Sequence, residues 1–198
     1  MSKTDKEPPK EPTSCPSGMI FVRRHRRRRI NQKGEPYFQE IPNCCRVNPK
    51  YFAKFCEEEY PKNPDLIYAV LTIFGEARGQ SDEERKVIMY IIMNRLKSKR
   101  WGKSFQEVTL KASQLSCWNY DDKNYKKILG AIKKDGKEKE AWEQCKKIVE
   151  EVYYSSGENN PLPKICHYFS GKPKQKWQKD YFDVPEFPHF HFVDLGEC

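Results

Sequence analysis

Between Leu66 and Leu96 the chain carries two apolar stretches of helical period, separated by Gly75-Glu76-Ala77-Arg78-Gly79, and this arrangement constrains the fold more than any other feature. Leu66, Ala69, Val70 and Ile73 recur at the spacing of one helix face. Pro64 suits the first helical position and Asn63 the cap before it. Ser81 and Glu84 form a capping box for the second helix, whose Val87, Ile88, Ile91, Ile92 and Leu96 make a wide stripe with Met89 and Met93 beside it. A helix this apolar is expected to be the buried spine of a domain. Glu76 stands where the first helix stops.

Later segments are shorter. Ser104 and Glu107 repeat the capping signature, Leu115 to Asn119 reads as extended, and Tyr125 to Ile132 reads as a helix with Ile128 and Leu129 inward. Glu138 to Tyr154 reads as a further helix with Trp142, Cys145, Ile148, Val149 and Val152 inward. Beyond Pro163 come β-like pieces at 165–170 and 187–193. Helices followed by short strands predict an α+β fold.

The N-terminal third differs in composition. Residues 1–64 hold 14 basic and 8 acidic side chains, whereas residues 65–198 hold 23 and 20, so +6 of the net +9 lies in the first part. Residues 1–18 are polar and proline-rich, a disordered tail on compositional grounds. Residues 19–29 and 30–41 read as the strands of a basic hairpin turning at Lys33 and Gly34; Cys44 and Cys45 follow, and Tyr51 to Glu59 is a short helix stopped by Pro61. The organisation expected is a tail (1–18), a basic cysteine-containing appendage (19–61) and a main domain (62–198).

Some classes are excluded or made remote. No run approaches the roughly 18 apolar residues of a membrane-spanning helix. The opening MSKTDKEPPKEPTS lacks the apolar core of a Sec-type signal, so synthesis is expected to end in the cytoplasm and any outside role to need another exit route. The eight cysteines do not show paired zinc-finger spacing, and small buried or half-exposed thiols are the favoured reading.

Glu76 is the candidate acid. A carboxyl group where an apolar helix meets a Gly-x-x-x-Gly turn is partly withdrawn from water, which favours the protonated form needed by a general acid. The wider string LTIFGEARGQSDEERKVIMYIIMNRLKS, then QLSCWN, then HYFSGKPKQKW, resembles the cell-wall hydrolase family typified by SleB and CwlJ, the spore-cortex-lytic enzymes. The likeness runs over about 65–193: Phe74 to Gln80, Asn94 and Arg95, Gln114 to Trp118, His167 and Tyr168, Trp177, and His189 or His191. Gln80 stands where the family has a second glutamate, Leu115 where it has an aromatic residue, and FPHFHFV fits its last strand loosely.

The resemblance implies a lysozyme-like helical domain with a small late β region. It also implies cleavage of the peptidoglycan bond between N-acetylmuramic acid and N-acetylglucosamine by lytic transglycosylation, with Glu76 as the single acid/base and no cofactor. Arg78, Asn94, Gln114, Ser116, Trp118, His167 and Tyr168 are then candidate substrate-binding residues. Asn94 and Arg95 equally fit a role tying their helix to a loop, and Trp177 fits packing better than binding. The enzyme is expected to act as a monomer on the wall, after holin-mediated release or as part of a virion.

Two other classes remain open. His167, His189, His191 and Cys166 are metal-ligand types, which leaves a zinc-dependent amidase cutting the muramoyl to L-alanine bond as a rival. Arg23, Arg24, Arg26, Arg27, Arg28 and Arg29 make a stripe for polyanions, whether nucleic acid, anionic wall polymers such as teichoic acid, or phospholipid surfaces.

Overall fold

The computed structural model describes residues 14–30, 35–41, 43–111, 114–132 and 138–198. Contacts divide the chain into two units, residues 1–51 and 52–198. Residues 1–13 of the expected tail and the expected turn at Lys33 and Gly34 lie outside the described residues.

The first unit is a β-ribbon. Strand β1 (Met19–Val22) pairs antiparallel with β4 (Cys44–Val47), and β2 (His25–Ile30) pairs antiparallel with β3 (Pro36–Ile41). The hairpin is therefore longer than the sequence suggested, because Cys44 and Cys45 lie within the returning strand. Between the two pairings the Arg24 N–H donates to Asn43 Oδ1 at 2.8 Å. A disulfide joins Cys15 to Cys45, with Cα atoms 5.6 Å apart.

Helix α1 (Pro49–Glu59) crosses the division. Its Phe52, Phe55 and Cys56 are buried, Phe52 against Tyr68 and Trp118 and Phe55 against Trp142, so from Phe52 onward it packs with the second unit. The sequence had grouped this helix with the basic appendage; its three-residue apolar face decides otherwise.

The second unit is helical first and β-stranded last, an α+β arrangement. After a 3-10 turn (Pro64–Leu66) come α2 (Ile67–Ala77), α3 (Asp82–Ser98), α4 (Phe105–Thr109), a 3-10 turn (Ser116–Trp118), α5 (Lys123–Ile132) and α6 (Lys139–Tyr154). Three short strands close the chain: β5 (His167–Phe169), β6 (Phe182–Asp183) and β7 (His191–Val193), antiparallel in the order β5-β7-β6. The segment Leu115 to Asn119 is thus a helical turn, not a strand.

The centre is α2 rather than α3. Every residue of α2 except Glu76 is buried, and the helix packs against α3, α4, α5, α6 and the Ser116–Trp118 turn. Helix α3 keeps a buried middle, but its charged ends reach solvent. Its capping box forms as expected, with the Glu84 N–H donating to Ser81 Oγ and the Ser81 N–H to Glu84 Oε2, both at 3.3 Å.

One cap differs from the sequence pattern, and another forms as expected but gains a distant partner. The Asn63 amide donates to the Tyr153 hydroxyl at 3.3 Å and does not cap its own helix. At α4 the Ser104 Oγ accepts the Glu107 N–H, while Asp65, forty residues earlier, accepts the Phe105 and Gln106 N–H groups at 2.6 and 2.9 Å. Orphan donors at a helix start are satisfied by whichever acceptor packing delivers.

The thiols also differ from expectation. Cys166 is bonded to Cys198, with Cα atoms 5.8 Å apart, so two pairs are disulfides. Cys44, Cys56, Cys117 and Cys145 are free, the last three buried. Burial pushes Cys56 and Cys145 up to about 12.

Gly75 permits the closest approach in this core. A Cβ added there would lie 2.6 Å from Cys117 Cβ and 2.9 Å from both Cys117 Sγ and Ile128 Cδ1. Overpacking of this kind costs about 1–3 kcal/mol. Gly75→Ala should lower the unfolding free energy by that amount in urea melts and should also reduce activity, since it pushes Cys117 away from α2.

Candidate active site

The last turn of α2 brings Glu76 to the surface of an otherwise buried helix. Its carboxylate Oε1 accepts the backbone N–H of Cys117 at 2.8 Å and the Ser116 hydroxyl at 3.3 Å. Both donors come from the 3-10 turn, which is held in place by packing. Cys117 lies against Gly75, and the buried Trp118 donates from Nε1 to Thr72 Oγ1 at 3.0 Å. The glycine, the threonine and the glutamate lie on one stretch of α2, so the helix that carries the acid also fixes its partners.

Two further polar groups surround this carboxylate. The Tyr168 hydroxyl and Arg95 Nη1 are buried and make no well-formed hydrogen bond, although the Tyr168 hydroxyl lies within reach of the Glu76 carboxylate. Burial raises the Tyr168 hydroxyl well above its ordinary value and the Glu76 charge adds to this, while Arg95 opposes it. Burial lowers the Arg95 guanidinium, countered by Tyr168, Glu76 and Glu197. Burial also raises the Cys117 thiol well above its ordinary value, again with Glu76 adding. Glu76, Tyr168, Arg95 and Cys117 therefore form one electrostatic neighbourhood. Buried polar atoms are rarely left unpaired.

Arg95 is anchored by Nε, which donates to the Cys166 carbonyl at 2.8 Å, and its guanidinium lies 5.7 Å from the Trp101 ring centre. The sequence had not included Arg95 among the substrate-binding candidates. Its position in the Asn94-Arg95 pair of the resemblance was the available signal.

The other candidates separate into two groups. Ser116 and Tyr168 are brought to Glu76. Arg78 is turned away, with Nε 2.7 Å from Glu138 Oε2 and Nη1 donating to Asn124 Oδ1 at 2.9 Å. Asn94 is buried and donates to the carbonyls of Leu162 and Ile165, each at 2.8 Å, while Asn160 donates to its oxygen at 2.9 Å. It ties α3 to the loop before β5. Trp118 is a core residue, edge-on to Phe52, with no open face for a sugar.

Gln114 accepts the Trp101 indole N–H at 3.2 Å. His167 packs between the Trp101 and Trp177 rings and donates from Nε2 to Glu197 at 2.8 Å. Burial lowers the His167 imidazole, with Arg95 and Arg100 adding and Glu197 opposing. Glu197 also pairs with Arg100 at 2.7 Å, so the segment ending in Cys198 is fastened beside β5 by ion pairs and a disulfide.

The remaining imidazoles are engaged separately. His189 Nδ1 lies 2.7 Å from Glu84 Oε1, and His191 Nδ1 lies 2.5 Å from Asp183 Oδ1. With Cys166 in a disulfide, the ligand types raised for a zinc site are each committed to a different partner. Among the described residues no three His, Cys, Asp or Glu side chains are grouped for a metal.

The Cell Wall Hydrolase family model matches residues 79–193, more than half of the chain. The chain belongs to that family. No curated protein and no solved structure matches it. The matched segment of this cell wall hydrolase begins three residues after Glu76 and includes Arg95, Ser116, Cys117 and Tyr168. Membership gives the activity class, breakdown of the cell wall with peptidoglycan as the polymer attacked.

Glu84 illustrates how the site is supported from behind. It is buried, and its Oε1 accepts both the His189 N–H at 3.0 Å and the ring, fastening the 187–190 turn to the start of α3. Burial alone raises its carboxyl, but hydrogen bonds from His189 and Ser81 outweigh burial and hold it below its ordinary value of 4.5. A carboxyl lowered on folding contributes stability above about pH 4.5 that is lost as pH falls through the folded value. The melting-temperature deficit of Glu84→Gln should be largest near pH 7 and shrink on acidification, as measured by thermal melts across that range.

Proposed function

We propose that the enzyme cleaves the bond between N-acetylmuramic acid and N-acetylglucosamine by lytic transglycosylation, with Glu76 as the one acid/base. The observation that carries this reading is the half-buried Glu76 carboxylate held by the Ser116–Trp118 turn beside Tyr168 and Arg95. Cys117 N–H and Ser116 both donate to Oε1, which fixes the direction in which the carboxyl group points. In the first step Glu76 gives its proton to the glycosidic oxygen as the bond to the muramic acid C1 breaks. In the second the resulting carboxylate takes the proton from the C6 hydroxyl of the same sugar as its oxygen closes on C1. The product is a 1,6-anhydro end, and Glu76 recovers its proton.

A hydrolase of the ordinary two-carboxylate kind needs a second acid near the scissile bond. Two acids close in sequence to this region have other work. Glu84 holds Ser81 and His189, and Asp122 accepts the Asn124 N–H at 2.8 Å at the start of α5. This supports a mechanism that uses one carboxyl group. The Tyr168 hydroxyl and Arg95 Nη1 are shut off from solvent, so their proposed role is to orient the Glu76 carboxylate from the protein side.

Action outside the cytoplasm is supported by the disulfides Cys15–Cys45 and Cys166–Cys198, since such bonds persist in oxidising surroundings. A holin or a virion would supply the route.

Glu76→Gln keeps the Cys117 hydrogen bond but removes the proton, so lysis of purified sacculi should fall at least about a hundredfold with little change in melting temperature. Wild-type rates in that variant would move the chemistry elsewhere. Mass spectrometry of the muropeptides should show ends lighter by one water than hydrolysed ends; reducing ends would make the enzyme a plain glycosidase, and free stem peptides an amidase. Tyr168→Phe removes a buried hydroxyl beside Glu76 that makes no well-formed hydrogen bond, so stability should change by less than about 1 kcal/mol while kcat/KM drops about ten- to a hundredfold.

A further inference from the structure

Four observations on the ribbon remain unused by the catalytic reading. The first is charge: residues 14–51 carry nine Lys and Arg against two Glu, a net of 9 − 2 = +7. The second is exposed apolar surface. Ile30 and Phe38 are 71% and 70% exposed, and Tyr37, Ile20 and Phe21 are also exposed.

The third is register. Cross-strand partners share a face of a hairpin, and the pairs Arg26 with Glu40, Arg28 with Phe38, and Ile30 with Pro36 follow one another along one face. Arg26 is ion-paired to Glu40 at 2.5 Å, whereas Arg28 faces an aromatic ring position instead of an acid. The face therefore grades from a neutralised ion pair to a cation set among Phe38, Ile30 and Pro36. The fourth is that Arg23 and Arg24 flank this face at the base of β2 and are exposed.

Arginines alone would fit any polyanion, but a nucleic acid or a wall polymer offers no apolar phase for Ile30 and Phe38. A phospholipid surface offers both an anionic layer and an apolar boundary beneath it. We infer that the β2–β3 face bearing Arg28, Ile30 and Phe38 docks on an anionic phospholipid bilayer. Phe38 and Ile30 enter the boundary between headgroups and acyl chains, while Arg28, with Arg23 and Arg24, meets lipid phosphates. The ribbon would hold the enzyme at a membrane surface next to the wall it cuts. The inference stands apart from the assignment of Glu76, because binding and lysis are read separately.

The test is co-sedimentation of the full chain with vesicles of phosphatidylcholine alone or mixed with phosphatidylglycerol, beside binding to double-stranded DNA and to soluble teichoic acid. The full chain should sediment with the phosphatidylglycerol vesicles and not with phosphatidylcholine alone. Ile30→Ser with Phe38→Ser should lower the vesicle partition coefficient at least tenfold while DNA binding is unchanged. Arg28→Ser should lower it about fivefold. All variants should lyse purified sacculi as wild type does.

Phe38→Trp provides a reading that does not depend on loss of binding. Its added emission should shift to the blue with anionic vesicles and stay in place with DNA. The inference fails if wild type does not sediment with phosphatidylglycerol vesicles at low salt. It also fails if the Ile30/Phe38 double variant binds them as wild type does, or if the Phe38→Trp emission does not shift; the ribbon would then serve polyanions through charge alone.

Discussion

Everything around the Glu76 carboxylate depends on how closely the Ser116–Trp118 turn can approach α2. Gly75 sets that distance, because any side chain there would occupy the space of Cys117. The approach brings a backbone N–H and a hydroxyl onto Glu76, and the Trp118 indole onto Thr72 one turn earlier. Since all other residues of α2 are buried, the helix cannot shift without disturbing the packing of four neighbours. The acid is held rigidly because its helix is the core.

Carboxylates elsewhere in this unit mostly hold structure together. Glu84, Asp183 and Glu197 each engage a different imidazole, and two of these pairs fasten the late segments to the helices or to β5. The disulfide from Cys166 to Cys198 and the Arg100–Glu197 ion pair fasten the same region. This leaves Glu76 as a carboxylate whose neighbours, Tyr168 and Arg95, have capacity to spare.

The two units divide the physical work. In the second, apolar burial builds a core. The ribbon is too small for that, and its two-stranded pairs are reinforced by the Cys15–Cys45 bond. Its apolar and basic side chains are consequently left at the surface instead of in a core.

The sequence by itself determined what local rules govern. Helical periodicity indicated helices from Pro64 to Glu76, from the Ser81 cap through Leu96 and over 138–154, where the structure has them at 67–77, 82–98 and 139–154, and the inward set Trp142, Cys145, Ile148, Val149 and Val152 is buried as the pattern required. The Ser81–Glu84 box was legible because both partners are three residues apart. The motif string indicated the family, and its Gly-Glu-Ala-Arg-Gly turn singled out Glu76. Tertiary structure decided what depends on distant partners. Asp65 caps a helix forty residues away, Arg78 turns to Glu138, Asn94 binds a loop, and Trp118 is core, none of which local spacing encodes. The disulfides, which join cysteines 30 and 32 residues apart, were equally invisible. The grouping of Arg95 and Tyr168 around Glu76 belongs to the same class: it exists only because a buried helix, a tight turn and a late strand meet at one point.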